Sequence, residues 1–155
     1  MKNLLTTCIL LFITAVSIGD EIKSGRVVKI TDGDTITILV AGTKEVKIRL
    51  YGIDCPEKKQ DFSTQAKKFT SSLCFKQIVK VQAVDTDRYG RTVAIVKLLN
   101  GQILNEELLN AGLAWHYAKH ESERYALLEK RAREKHAGIW SAGKQVAPWE
   151  FRRAR

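Results

Sequence analysis

The sequence holds no internal repeat and no low-complexity tract, which excludes a solenoid, a repeat array or a disordered linker. Cysteine is scarce. Of three, Cys8 falls in an early apolar stretch, so the rest of the chain has one possible pairing, Cys55 with Cys74, and cannot be a disulfide-stapled scaffold. Histidine is equally scarce. His116 and His120 stand four apart, the spacing of a helical metal pair, but no third ligand accompanies them and they read as surface residues. There is no EF-hand either, since a loop opening at Asp32 would need an oxygen ligand at Ile36 and a glutamate at Thr43. Acid is outnumbered: 17 Asp and Glu stand against 26 Lys and Arg, a formal net charge of +9. Such a chain attracts polyanions, whether nucleic acid, anionic lipid or acidic polymer, and charge alone does not choose among them.

What is present fits one small domain: 155 residues, 45% hydrophobic and 28% charged. The start differs. Lys2 is the only charge before Asp20, and residues 4–18 are almost all apolar or small. That run is short for a membrane span. A positive start, an apolar middle and small residues at the end predict a cleaved signal peptide over residues 1–19. Cleavage falls near Ala15-Val16-Ser17 or Ser17-Ile18-Gly19, and an uncleaved anchor is the competing reading. Export predicts a secreted or periplasmic protein, in a compartment that permits a Cys55–Cys74 disulfide. If formed, that bridge contributes about 3 kcal/mol on the entropic model.

Residues 25–30 are short and β-branched, Asp32-Gly33 is a hairpin signal, and residues 35–40 alternate polar with apolar as a half-buried strand does. Val46, Ile48 and Leu50 share one face of a third strand, completing an antiparallel meander. Phe62, Ala66, Phe69 and Leu73 then recur at helical spacing. Residues 78–84 and 93–98 are two further strands around Tyr89-Gly90. Leu104, Leu108 and Ala111 predict a short helix closed by Gly112, and Tyr125, Leu128 and Ala132 the inner face of a last helix stopped by Gly138. Five strands with a helix between the third and fourth predict an α+β fold, a five-stranded OB-fold barrel with three packed helices, over residues 20–145. Residues 146–155 read as a basic C-terminal tail, loose over residues 151–155. Trp140 and Trp149 read as core cover, and Lys130, Arg131, Arg133 and Lys135 as a solvated helix face.

Three clusters carry chemistry. Asp32-Gly33-Asp34 is a turn on its plainest reading, yet Asp34 opens a strand, where a carboxylate gains little structurally. In the run from Arg49 to Glu57, Pro56 pushes Cys55 into an extended conformation and leaves its carbonyl outside any helix ladder. Asp54 and Glu57 flank it. Brought together with Asp34, these carboxylates repel unless a cation or an arginine separates them. Carboxylates plus a carbonyl make a hard-oxygen site suited to calcium or magnesium and unsuited to zinc. The third cluster, Asp87-Arg88-Tyr89-Gly90-Arg91, is a basic turn that with Arg49 supplies two guanidiniums for one phosphate. A Cys55 thiol nucleophile lacks any supporting spacing.

In this order, Asp-Gly-Asp-Thr at residues 32–35, Arg-Leu-x-x-Ile-Asp-x-Pro-Glu at 49–57 and Asp-Arg-Tyr-Gly-Arg at 87–91 resemble the staphylococcal nuclease (thermonuclease) family, extended by Gly112-Leu113-Ala114 and Gly138-Ile139-Trp140-Ser141. The resemblance implies a calcium-dependent phosphodiesterase acting on DNA and RNA, leaving 3′-phosphate and 5′-hydroxyl ends. It implies Asp34, Asp54 and the Cys55 carbonyl as calcium ligands, Glu57 as general base, and Arg49 and Arg91 as phosphate-binding catalytic groups. Arg88 and Tyr89 match residues near the terminal phosphate and sugar. The base-stacking tyrosines that follow Gly-Leu-Ala in the family are shifted here, so Trp115, Tyr117 or both could stack on a base. Position 55 is commonly threonine in the family; cysteine is tolerable there if only the carbonyl binds. A monomer is expected. The rival reading is a non-catalytic nucleic-acid-binding module on the same barrel, and a third is a basic protein that adheres to anionic surfaces.

Overall fold

A computed structural model describes residues 22–117 and 119–154. The signal peptide expected over residues 1–19, with Cys8, lies outside the described residues. Strand β1 (Ile22–Asp32) turns through Gly33 into β2 (Thr35–Val40), and β3 (Lys44–Leu50) follows. A two-residue strand, β4 (Ile53–Asp54), leads to helix α1 (Ser63–Cys74). Strands β5 (Ile78–Thr86) and β6 (Thr92–Lys97) form a hairpin. Then come α2 (Leu104–Asn110), the short β7 (Trp115–His116), α3 (Glu123–Glu134), a 3₁₀ turn (Gly138–Ala142) and α4 (Pro148–Arg153).

The five long strands close a barrel in the order β1-β2-β3-β6-β5, the expected OB architecture. The meander is antiparallel, as its turns require. Closure needs two further pairings: β1 serves both β2 and β5, and β3 meets β6 in parallel at Ile48↔Thr92, Arg49↔Val93 and Leu50↔Ala94. Asn105, buried at the start of α2, holds this junction: its Oδ1 accepts from Val96 N at 3.1 Å, and its Nδ2 donates to Tyr51 O at 2.9 Å. The backbone leaving β3 is thereby pinned just before the site loop.

Val27, Ile36, Ile38, Ile48, Leu50, Val79, Val81 and Val96 fill the core, joined by Leu104, Leu108 and Leu109 of α2. The β2 alternation holds in chemistry but not in exposure, because Thr35 and Thr37 are buried along with Ile36 and Ile38. On α1 the fully buried side chains are Ala66, Thr70 and Cys74, while Phe62, Phe69 and Leu73 pack on the core partly exposed. Thr70 Oγ1 donates to Gly33 O at 2.5 Å, which seats α1 over the β1–β2 turn. Tyr125, Leu128 and Ala132 face inward on α3 as expected. A second cluster gathers Trp115, Ala132, Ile139, Trp140 and Ala147. It is closed where Gly112 and Gly138 meet: both have positive φ, and a Cβ on Gly112 would stand 2.2 Å from the Ala137 carbonyl oxygen.

One expectation changes, and one question left open is answered. The stretch expected to be loose is not, as far as Arg153: α4 opens at Pro148 and runs through that residue, and Arg152 is ion-paired to Asp54 and Glu57. Cys55 and Cys74 are both free, buried thiols and are not bridged. Burial pushes Cys55 well above its ordinary range and Cys74 up to about 12. Among the described residues no helix is long and apolar enough to cross a membrane.

Candidate active site

The site sits where β1–β2, β3 and β4 run out at one end of the barrel. Asp34 follows a turn that only glycine fits: a Cβ on Gly33 would come 2.8 Å from both the Cys55 sulfur and the Ala66 side chain. Leu50 N donates to Asp34 O at 2.9 Å and Tyr51 N to Ala94 O at 2.8 Å, fixing the exit of β3. β4 pairs with β7 through Asp54↔Trp115 and holds Asp54 in place. The Cys55 amide donates to Asp34 Oδ2 at 2.6 Å, tying the Pro56 loop to the hairpin.

Arg49 lies between the two aspartates. Its Nη1 is 2.6 Å from Asp34 Oδ2, an ion pair outside hydrogen-bond alignment, and its Nη2 donates to Asp54 Oδ1 at 2.6 Å. Asp34 and Asp54 are 5% and 2% exposed, so both charges are held in a largely dry floor. Burial raises Asp34 to about 6, with Arg49 opposing it and Asp32 adding to it. Burial also raises Asp54, against the pull of Arg152 and Arg49. For Arg49 burial acts downward, but Asp34 and Asp54 outweigh it and leave the guanidinium more basic than usual.

The wall is the β5–β6 hairpin tip. Asp87 Oδ1 accepts from the amides of Tyr89 at 2.9 Å and Arg91 at 3.0 Å, and its Oδ2 from Arg91 Nε at 2.6 Å. These bonds outweigh the burial that acts upward on Asp87 and lower its pKa. Tyr89 is 69% exposed, with the Arg88 and Arg91 guanidiniums 4.9 and 5.5 Å from its ring centre.

One cleft of about 750 Å³ is lined by Asp34, Arg49, Asp54, Cys55, Glu57, Arg88, Tyr89 and Arg91. Every sequence-predicted site residue except Tyr117 is there. The Tyr117 ring lies 5.7 Å from that of His120 and 5.5 Å from that of Trp149. Trp115 is buried against Trp140 at 5.3 Å, edge to face, and is not a stacking surface. His116 and His120 are half-buried rather than surface residues: His116 Nε2 contacts His120 O at 2.9 Å, and the His120 ring packs on Tyr51.

Two site residues were not found in sequence. Asp32, read as a turn residue, lines the cleft beside Asp34, with a buried Oδ1 that has no hydrogen-bond partner. Its signal was the second carboxylate of Asp-Gly-Asp. Arg152, from α4, places Nη2 at 2.8 Å from Asp54 Oδ2 and Nη1 at 2.5 Å from Glu57 Oε1. No local pattern marks it.

The cleft as a whole is lined by four carboxylates, of Asp32, Asp34, Asp54 and Glu57, and by more cations than acids, but on its floor the carboxylates of Asp34, Asp54 and Glu57 meet the guanidiniums of Arg49 and Arg152. The two buried aspartates of the floor and the unpartnered Asp32 oxygen fit a divalent cation. Among the described residues no three His, Cys, Asp or Glu side chains form a metal-holding group. A cation here would rest on the two buried aspartates with backbone and water oxygens, a donor set that suits calcium or magnesium.

Comparison with known proteins points the same way. Residues 47–142 match the family described as staphylococcal nuclease homologue. The chain is 37% identical to an uncharacterized endonuclease of Haemophilus influenzae over 153 residues, 98% of this chain and 85% of that protein. It is 37% identical to the micrococcal nuclease of Shigella flexneri, covering 84% of this chain and 80% of that protein. It is also 38% identical to protein ParB of Escherichia coli, covering 83% and 78%.

Proposed function

The chain belongs to the staphylococcal nuclease family and is a nuclease that hydrolyses phosphodiester bonds, and we propose that it is an exported, calcium-dependent member that cleaves DNA and RNA to 3′-phosphate and 5′-hydroxyl ends. The observation that carries this reading is the convergence of Asp34, Arg49, Asp54, Cys55, Glu57 and Arg91 on one cleft. In it Asp34 and Asp54 would hold calcium, with the Cys55 carbonyl as a further ligand. Calcium bound there supplies a Lewis acid that withdraws charge from the phosphate.

The remaining steps belong to the side chains. Glu57, only partly buried beside the floor, orients water and accepts its proton, worth about 10²–10⁴-fold. Arg49 presents a fixed guanidinium from the floor and Arg91 a second from the wall. Together they neutralise the non-bridging oxygens as charge develops in the transition state. Arg88 and Tyr89 sit beside Arg91 for the terminal phosphate and sugar, and Tyr117, outside the cleft lining beside His120 and Trp149, is assigned to a base. The charge of +9 draws the polyanion in. The composition of residues 1–19 supports export, to the periplasm or the medium, and the protein acts as a monomer.

Purified protein incubated with single-stranded DNA or RNA tests this reading, with calcium or with excess chelator. Calcium-dependent cleavage is expected, with new ends that accept phosphate from a 5′-hydroxyl kinase. Glu57→Gln is expected to lose at least about 100-fold in kcat. Near-normal turnover in that variant overturns the assignment of Glu57. Tight binding without cleavage under any divalent metal moves the chain to the binding-module reading.

A further inference from the structure

Arg152 stands on the two carboxylates that the proposed function needs most. Its fork spans both oxygens of Asp54, at 2.8 and 3.4 Å, and reaches Glu57 Oε1 at 2.5 Å. A guanidinium is acceptor-free, and its charge satisfies the same oxygens that would hold or face a cation. Arg49 takes Asp54 Oδ1 at 2.6 Å, so Arg152 fills the oxygen that remains, Oδ2, and there a cation and Arg152 exclude each other.

The rest of α4 fits a strap anchored at its start and held near its far end by the Arg152 ion pairs. Ala147 joins the second apolar cluster and Pro148 is buried, so the start of the helix is anchored. Trp149 lies 5.5 Å from the Tyr117 ring, covering the aromatic surface left for a base. Gln60 ties the approach to the Glu57 loop: its Nε2 donates to Val146 O at 2.9 Å, and its Oε1 accepts from Glu57 N at 2.7 Å. The far end differs. The Arg152 side chain is 44% exposed while that of Asp54 is 3% exposed, so the guanidinium can return to water but the buried carboxylate it leaves needs another cation. Such a pair opens in exchange for a cation rather than for water alone.

We propose that α4 is a self-inhibiting strap: Arg152 occupies Asp54 and Glu57 in place of the divalent cation, Trp149 covers Tyr117, and the helix end must withdraw before cation and nucleic acid are both held. The proposal rests on the cation-dependent nuclease reading above. It makes the apparent cation affinity equal to the intrinsic affinity multiplied by the fraction of molecules with the strap open.

Calcium titration of the full chain by calorimetry tests it without recourse to activity. If the strap is closed in nine molecules of ten, Arg152→Gln binds calcium about 10-fold more tightly than the parent. Arg152→Lys keeps the charge and loses the bidentate fork. It carries the same test at about 3-fold if Arg152→Gln does not fold. In the parent, calcium also shifts the Trp149 emission, read as the difference from Trp149→Phe, and that shift is lost in Arg152→Gln. Equal or weaker calcium binding by a folded Arg152 variant overturns the strap and leaves the nuclease reading standing. No calcium binding by parent or variant overturns the strap and the calcium site together.

Discussion

Arg49 and Arg91 are the same side chain at two sides of one cleft, held in opposite ways. Arg49 rises from β3 into a buried floor, where two aspartates fix both ends of its fork. Arg91 sits on a hairpin tip with a single carboxylate partner, Asp87, itself satisfied by backbone amides. The floor is preorganised against desolvation, which leaves Asp34 raised to about 6. The wall carries little such strain and keeps Tyr89 exposed. A phosphate entering between them meets one rigid cation and one adaptable cation. Stability and catalysis are therefore coupled in the floor and separable in the wall.

The sharpest break of this comparison is a pair of truncations. Arg49→Ala leaves Asp34 and Asp54 buried without their shared cation. It is expected to lose about 3–5 kcal/mol of metal-free stability in urea melts and about 1,000-fold in kcat. Arg91→Ala is expected to lose at least about 100-fold in kcat while its stability stays within about 0.5 kcal/mol. Equal stability losses in the two variants would erase the distinction.

Next comes pH. The folded pKa of Asp34, about 6, lies above its ordinary value of 3.8. The folded chain therefore binds this proton more readily than the unfolded chain. The group's contribution to stability rises as pH falls through 6 and levels off near 3.8, by up to about 3 kcal/mol. In chelator, the parent is expected to gain stability between pH 7 and pH 5 relative to Asp34→Asn. Parallel pH profiles would show that the floor does not carry the burial penalty assigned to it.

On the wall, Asp87→Ala removes the bonds that aim Arg91. A fall of about fivefold in kcat/KM is expected, about 1 kcal/mol, with little change in melting temperature. A fall as large as that of Arg91→Ala would mean Asp87 is more than a positioning residue. The smallest effect concerns the thiols. Since Cys55 and Cys74 are separate and buried, calcium titrations with and without dithiothreitol are expected to coincide, and a shift would reveal a bridge.

The floor was visible in sequence because each member sits beside a residue that marks a special backbone geometry or an alternating strand. Asp34 follows Gly33, and Asp54 and Glu57 bracket Pro56. Arg49 alternates with the inward Ile48 and Leu50 of its strand. Asp32 was hidden by its own good fit to a turn. Arg152 was hidden by distance: it meets Asp54 across 98 positions. Trp115 looked available for stacking because nothing local told that Trp140 covers it. The two-residue strands β4 and β7 are too short for any periodicity to register.

Local chemistry alone thus determined the barrel strands, the helix faces and the residues capable of binding cation and phosphate, since alternation, turn residues and carboxylate placement act over a few positions. Only the tertiary structure decided the parallel β3–β6 closure, the separation of the two thiols and the seating of Arg152 on Asp54 and Glu57. Those outcomes depend on which distant surfaces meet when the barrel closes, and no short-range preference encodes such a meeting.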